Sequence, residues 1–194
     1  LPAAEPTRLW RYHKPPGVIC TNRDPEGRPT VFEHLPDGLP RLILIGRLDF
    51  TSEGLLLLTN DGRLARRLEL PASGWLRRYR VRVFGRPDAE SLAGLAVGVT
   101  VGDVDYGPID AAIDRIHGDN AWLTISFREG KNREVRRVME HLGLQVNRLI
   151  RTAFGPFRLD RLPSDGLREV SRNVMVEKLG RDAYAGDTDA HHRR

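Results

Sequence analysis

The sequence contains one cysteine and no run of more than four apolar residues in its 194 positions. A lone Cys20 excludes an internal disulfide and a metal site built from several cysteines. A membrane-spanning helix needs about 20 consecutive apolar residues, so no span is expected, and the first residues lack the apolar core of a signal peptide. We therefore expect a cytoplasmic protein. A hydrophobic content of 40% is enough for ordinary globular folding.

Closely spaced metal ligands are also missing from the sequence. His13, His34, His117 and His141 stand alone, and the other two histidines lie in a polar C-terminal stretch. Protein zinc sites instead use closely spaced histidines and cysteines. We predict that no metal is bound.

Lysine is scarce, because 28 of the 31 basic residues are arginine. The guanidinium group is planar, always charged and suited to phosphates and base stacking, although a GC-rich genome also favours arginine codons. Position is stronger evidence than the net charge of +5, since residues 63–86 contain eight arginines and one acid. This uneven distribution predicts a surface that binds a polyanion.

Composition divides the chain into three parts. Residues 1–8 are predicted to be a linker remnant, residues 9–180 one folded domain, and residues 181–194 a disordered polar tail. Strands are predicted in RLWRYHK, GVICT, RLILIG, GLLLLT, RRYRVRVFG, YGPIDAAIDRIHG, NAWLTISFRE, QVNRLIRTAFG and PFRLD. Helices are predicted in TVFEHL, NDGRLARRLEL, residues 88–96 and NREVRRVMEHLG. The pattern indicates an α+β fold with a mixed, largely antiparallel sheet flanked by helices and loops.

Four separated motifs narrow this interpretation. In chain order they are YHKPPGVICTNRDPEGRPTVFEHLP, GRLDFTSEGLLLLTNDG, RRYRVRVFG and EGKNREVRR. Together they resemble the RsuA/RluB branch of the pseudouridine synthases, and its B-type large-subunit rRNA enzymes in particular, over about residues 9–170. The resemblance implies that family's catalytic fold, with an active-site cleft across the sheet. The family usually carries an N-terminal RNA-binding module of S4 type, which we expect to be absent from this chain.

The resemblance assigns the catalytic role to Asp49 of the GRLD motif. Isomerisation of uridine to pseudouridine breaks the N1–C1′ bond and joins C5 to C1′, so it needs no redox or energy cofactor, and none is predicted. It does need one carboxylate beside the ribose, either to attack C1′ or to remove the C2′ proton. The sequence leaves both routes open.

A cation is needed to keep such a carboxylate ionised in a partly dry pocket. In the family an arginine does this, and the motif EGKNREVRR aligns it with Arg136. Lys131, Arg133 and Arg137 are then left for RNA phosphates. The alternative for each of these residues is a solvated basic helix face.

The resemblance also makes Tyr79 the aromatic residue that packs against the flipped base. A core tyrosine is the alternative. Arg47, two residues before Asp49, is predicted to enter the RNA, unless it pairs with a nearby acid. Arg78 and Arg80 lie on the other face of the same predicted strand and are expected to bind RNA.

Other residues near the motifs allow different interpretations. Glu53 and Asp61 could form a carboxylate pair with Asp49 in a glycosidase or a nuclease, although their motifs TSEG and TNDG are typical of turns and caps. The HKPPG motif is predicted to shape a loop beside the site, and Lys14 within it could contact a phosphate.

The sequence therefore predicts an RNA pseudouridine synthase that acts on one uridine of large-subunit (23S) ribosomal RNA. We expect ribosomal RNA as its partner, no membrane association and a monomer. The alternatives are a catalytically silent RNA-binding or ribosome-assembly module on the same fold, and a synthase for small-subunit rRNA or tRNA.

Overall fold

The computed structural model describes residues 5–181, which form eleven β-strands and five α-helices. The strands are β1 (Leu9–Lys14), β2 (Ile43–Ile45), β3 (Glu53–Thr59), β4 (Arg77–Phe84), β5 (Val99–Val101), β6 (Val104–Tyr106), β7 (Ile109–His117), β8 (Asn120–Phe127), β9 (Gln145–Phe154), β10 (Phe157–Arg158) and β11 (Leu167–Glu169). The helices are α1 (Val31–His34), α2 (Gly62–Glu69), α3 (Ala89–Ala93), α4 (Glu134–His141) and α5 (Arg172–Leu179).

Nine of these strands form one sheet, and β5 and β6 form a separate hairpin. The main order is β11-β1-β3-β9-β4-β8-β7, with β2 also paired to β3 and β10 to β9. Every pairing is antiparallel except that of β3 with β9, which is parallel. The predicted α+β fold with a mixed, largely antiparallel sheet is therefore confirmed.

Strand β3 separates two apolar clusters. All seven of its residues are buried, and successive side chains point to opposite faces of the sheet. Leu56 and Leu58 join the cluster that also contains Tyr79. Leu55 and Leu57 join the second cluster, which includes residues of α2 and α5. The apolar run after Asp49 is thus the rigid centre of the molecule.

Local sequence signals account for several elements. Thr30 begins α1 with a capping box, in which its hydroxyl accepts from the backbone of Glu33 and the Glu33 carboxylate accepts from the backbone of Thr30. Alternation along β4 buries Tyr79 and Val81, as expected for a strand with one core face. Gly143 follows α4 with φ of 78°, a left-handed conformation that favours glycine.

Three parts of the secondary structure differ from the prediction. GVICT is not a strand and makes only an isolated bridge between Ile19 and Thr30, because the turn at Pro16–Gly17 redirects the chain away from β1. The predicted strand RLILIG is reduced to Ile43–Ile45. The β5–β6 hairpin, β11 and α5 were not predicted.

The residues just before β1 are attached to the turn after β3. The backbone of Arg8 donates to Asn60, and the Thr7 hydroxyl donates to Asp61. The first four residues of the predicted linker and all but the first residue of the predicted tail lie outside the described residues. Between residues 5 and 181 no helix is long and apolar enough to cross a membrane.

Candidate active site

Asp49 lies in the turn that joins β2 to β3. The backbone N–H of Ser52 donates to the Asp49 carbonyl oxygen at 3.0 Å and closes this turn. The Asp49 side chain keeps 35% of its surface exposed. The GRLD motif therefore places a carboxylate at the open end of a fully buried strand.

The buried side chain of Lys14 stabilises this turn from the protein interior. Its side chain is completely buried, and its ammonium group donates to the carbonyl oxygens of Pro15 at 3.0 Å, Phe50 at 3.1 Å and Ser52 at 2.6 Å. Burial lowers the pKa of Lys14 to about 8. Since all of this side chain is inside the protein, the suggestion that Lys14 contacts an RNA phosphate is wrong. It is a scaffold for the Asp49 turn.

Two arginines of the EGKNREVRR motif reach the same turn. The Arg133 guanidinium lies 3.5 Å from the Asp49 carboxylate. Arg136 donates to the Thr51 hydroxyl at 3.0 Å. Burial and the neighbouring Arg133 lower the pKa of Arg136, and Asp49 opposes that change. In this structure the ion pair of Asp49 is therefore with Arg133, whereas the resemblance assigns it to Arg136, which contacts Thr51 in the same turn.

Tyr79 faces the interior of the cleft from β4. Its ring stacks on Phe127 of β8, with 5.5 Å between the ring centres and 13° between the planes, and only 9% of the residue is exposed. The partner of Tyr79 across the β4–β9 pair is Arg151. Tyr79 is thus both a core residue and a wall of the cleft.

These residues line one cleft of about 770 Å³, large enough for a nucleoside. Five of the predicted site residues line it together: Arg47, Asp49, Tyr79, Lys131 and Arg133. Three of them, Arg47, Lys131 and Arg133, are exposed cations, while Tyr79 is nearly buried. The cleft therefore has a cationic rim around one carboxylate and an aromatic wall.

Comparison with known proteins agrees with this geometry. A family model described as RNA pseudouridylate synthase matches residues 8–141 of the chain.

The chain belongs to the RNA pseudouridylate synthase family.

An uncharacterized RNA pseudouridine synthase of Rickettsia bellii is 49% identical over 172 residues, which are 89% of this chain and 74% of the relative. The ribosomal large subunit pseudouridine synthase B of Pasteurella multocida is 46% identical over 91% of this chain, which spans 52% of that relative. A solved pseudouridylate synthase is 26% identical, with a TM-score of 0.76 over 89% of this chain and 73% of its own. The family, the fold and the class of enzyme, an isomerase, are therefore shown.

Four predicted residues of the synthase lie outside the lining of the cleft. Arg136 donates to Thr51 in the Asp49 turn, and Arg137 is exposed on α4. Arg78 and Arg80 project from the opposite face of β4 to Tyr79, where Arg78 donates to Ser126 and Arg80 stacks on Trp122 at 4.9 Å. The structure therefore separates the predicted RNA-binding arginines into two surfaces.

The other acids near the motif have structural partners in the synthase. Glu53 accepts two hydrogen bonds from Arg148, at 2.9 and 3.0 Å, on the β3–β9 junction. Asp61 is the N-cap of α2 and also accepts from Thr7. Their expected structural roles agree with these contacts. The described part of the chain contains no group of three histidine, cysteine or acidic side chains that could hold a metal.

Sequence reasoning missed two buried charged residues of the synthase site. Arg151 is 3% exposed and Glu134 is 2% exposed, and both line the cleft. Burial and the nearby Glu129 raise the pKa of Glu134 to about 8. The sequence signal for Arg151 was its position in the alternation of β9. Arg151 lies two residues after the core residue Leu149, so both side chains point to the same inward face of the strand.

Proposed function

We propose that this synthase isomerises one uridine of large-subunit ribosomal RNA, with Asp49 as the catalytic carboxylate. The observation that carries the proposal is the single cleft that brings Asp49, Tyr79 and exposed cations together. The similarity to B-type ribosomal large subunit synthases supports the choice of RNA.

Asp49 would act on the ribose of the target nucleotide. It either forms an ester with C1′ or removes the C2′ proton, and both routes break the N1–C1′ bond and release the uracil ring from C1′. Arg133 forms an ion pair with the Asp49 carboxylate, and Arg136 donates to Thr51, so two cations contact the turn that carries the acid. Lys14 keeps the turn in place, which restricts the carboxylate to one position.

The target base would leave the RNA stack and enter the cleft against Tyr79. Base stacking on an aromatic side chain contributes about 1–3 kcal/mol, which helps to offset the cost of unstacking the base. Phe127 supports the opposite side of the Tyr79 ring and fixes its plane. Tyr79 therefore serves as a preformed wall for the uracil ring.

The RNA backbone would cross the rim of the cleft. Arg47, Lys131 and Arg133 are exposed there, and Arg137 extends the positive surface along α4. Phosphate contacts of this kind orient the RNA without reading its sequence. Arg78 and Arg80 stay predicted RNA contacts, for a segment that passes behind the sheet. The cytoplasmic location and the monomeric state also stay predictions.

Tritium release tests the catalytic assignment. RNA labelled with 5-³H-uridine loses its label when C5 becomes bonded to C1′. The substrate is labelled ribosomal RNA from cells that lack the gene, because its target uridine is still unmodified. We expect release by the native chain and a loss of roughly 100-fold or more in Asp49→Asn. The matched control is Asp103→Asn, which makes the same change at an exposed turn that does not line the cleft and should release tritium at the native rate.

The alternatives give different results in the same assay. A silent RNA-binding or ribosome-assembly module would bind RNA but release no tritium. Equal release from the native chain and Asp49→Asn would refute the role of Asp49. Mapping of the new pseudouridines distinguishes large-subunit from small-subunit rRNA and tRNA targets.

A further inference from the structure

Arg151 is a buried cation whose charge is not balanced by any acid that the structure describes. Its Nε donates to the Leu55 carbonyl oxygen at 2.9 Å, and its guanidinium lies 4.6 Å from the centre of the Phe154 ring. No carboxylate in residues 5–181 comes within ion-pair distance of it, and its Nη2 atom has no hydrogen-bond partner there. One donor of a permanently charged group is therefore unused.

A buried cation without an acidic partner lowers the stability of the fold, so its presence needs a functional explanation. Burial of an unpaired charge strongly destabilises a protein, and arginine does not avoid this cost by losing its proton. The other cations of the cleft differ from Arg151, because Arg47, Lys131 and Arg133 are exposed at its rim. Arg151 lies instead in the wall of the cleft, beyond the reach of a phosphate that stays outside.

The motif that carries Asp49 also positions Arg151. Gly54 pairs with Arg151 in the parallel β3–β9 contact, and a Cβ atom on Gly54 would lie 2.3 Å from the Arg151 carbonyl oxygen. On its other side, Arg151 is paired with Tyr79 across β4 and β9, and the two side chains interact. Arg151 is thus fixed between the strand that follows the catalytic turn and the aromatic wall.

We propose that Nη2 of Arg151 donates a hydrogen bond to a carbonyl oxygen of the target uracil and stabilises the ring as an anion once it has left C1′. The inference deepens the function proposed above and rests on it. Arg151 and Tyr79 line the same cleft, so a flat ring against Tyr79 reaches Nη2 once the Arg151 side chain turns this buried atom toward the cleft. The ribose and phosphates stay nearer Asp49 and the rim.

The electron balance explains why a cation is useful at this point. When the N1–C1′ bond breaks, its electron pair stays on the ring and is shared by N1, O2 and O4. C1′ gains either a bond to an Asp49 oxygen or a double bond to C2′ as the C2′ proton moves to Asp49. C5 then supplies a pair to C1′, the ester opens or C2′ regains its proton, and the C5 proton leaves as N1 takes one up. Arg151 keeps its protons throughout, on either route.

If Arg151 stabilises the uracil anion, the loss of rate in an Arg151 variant should be smaller when the base is a better leaving group. Fluorine at C5 withdraws electrons and stabilises the uracil anion without help from the protein. Two short synthetic RNAs that contain the mapped target, with uridine or 5-fluorouridine at that position, would be incubated with the native chain and with Arg151→Gln in single turnovers. Nuclease digestion and mass spectrometry would follow the loss of each nucleoside.

We expect Arg151→Gln to slow loss of uridine roughly 10- to 100-fold, the effect of a lost charged hydrogen bond. Loss of 5-fluorouridine should be slowed several-fold less, so that the ratio of the two rates rises above the native ratio. A purely structural role would slow both reactions by the same factor, and that result would overturn the inference.

Two further variants complete the experiment. Arg158→Gln, an exposed site on β10, should leave both rates and their ratio unchanged. Arg151→Lys keeps the charge but lacks the forked donor, so its ratio should lie between those of the native chain and Arg151→Gln. If Arg151→Gln does not fold, a native ratio in a slowed Arg151→Lys overturns the inference, and a raised ratio supports it. A native chain that converts neither nucleoside would instead refute the proposed function itself.

Discussion

The charged residues of the site differ most in how much of each side chain is exposed to solvent. Asp49 keeps a third of its side chain in solvent, whereas Lys14, Glu134 and Arg151 are almost completely inside the protein. The sequence was sufficient to single out Asp49 and Tyr79, because their motifs are distinctive. It was not sufficient for the buried residues, since a lysine next to two prolines gives no sign that three carbonyl oxygens will surround its ammonium group.

Glu134 makes the stability of the protein depend on pH. Its carboxyl group is raised to a pKa of about 8, from 4.5 in an unfolded chain, by burial and by Glu129, with Lys131 and Arg77 opposing the shift. Between these two values the folded state holds a proton that the unfolded chain has released. This contribution to stability is complete below about pH 4.5 and is lost as the pH rises through 8.

The free energy of unfolding should therefore fall between pH 5 and pH 8, and it should fall less in Glu134→Gln, by on the order of 1 kcal/mol or more. Urea unfolding at both pH values measures the difference. Glu140→Gln, at an exposed position of the same helix, should keep the native pH dependence. The same slope in all three proteins would contradict this account of Glu134.

At the scale of elements, the sequence predicted those helices and strands that are determined by interactions between neighbouring residues. The capping box of α1, the alternation of β4 and the apolar run of β3 all follow from neighbouring residues. Strand β11 has only three residues and exists through its pairing with β1, so no local pattern identifies it. The side-chain partners of EGKNREVRR were equally hard to predict, because Arg133 begins α4 in a left-handed conformation with φ of 53° and this reorients the motif.

The parallel contact of β3 and β9 depends on one glycine. Gly54 has φ of 108°, and an added Cβ would clash with the backbone nitrogen and oxygen of Arg151, at 2.7 and 2.3 Å. We predict that Gly54→Ala lowers the free energy of unfolding by roughly 2–4 kcal/mol, because both the conformation and the close approach are lost. Urea denaturation would measure the loss.

Gly62→Ala is the matched control for this substitution. Its Cβ would make only ordinary contacts, the nearest at 3.4 Å to Ile43, and alanine favours the helix α2 that begins there. Its stability should equal or slightly exceed that of the native chain. Similar destabilisation of both variants would show that the close β3–β9 approach is not the cause.

At the scale of the whole molecule, the sheet separates two groups of arginines. Arg47 and Arg133 surround the cleft, while Arg78 and Arg80 lie behind β4, where Arg80 also approaches Asp114 at 4.0 Å. The uneven charge along the sequence predicted a basic surface but not its division between two faces. That division follows from tertiary structure, because alternate residues of a strand face opposite ways.

Salt dependence of RNA binding should reveal which face the RNA uses. We predict that Arg47→Gln weakens binding and lowers the slope of log affinity against log salt by about 0.7, as expected for the loss of one phosphate contact to a single strand. Arg80→Gln should lower the slope by a similar amount, because Arg80 stays a predicted RNA contact behind the sheet. Filter binding of ribosomal RNA at several salt concentrations measures both. An unchanged slope for Arg80→Gln would show that the RNA uses only the face that carries the cleft.

The parallel β3–β9 pair also sets the order in which the cleft can form during synthesis of the chain. The residues that pair there, Glu53 with Ile150 and Gly54 with Arg151, are almost a hundred positions apart. Contacts of such long range close late, after the local hairpins. While β9 is still inside the ribosome, a nascent chain can build the Asp49 turn and the β4–β8 wall but cannot join them. The protein therefore gains the complete cleft only after β9 has left the ribosome.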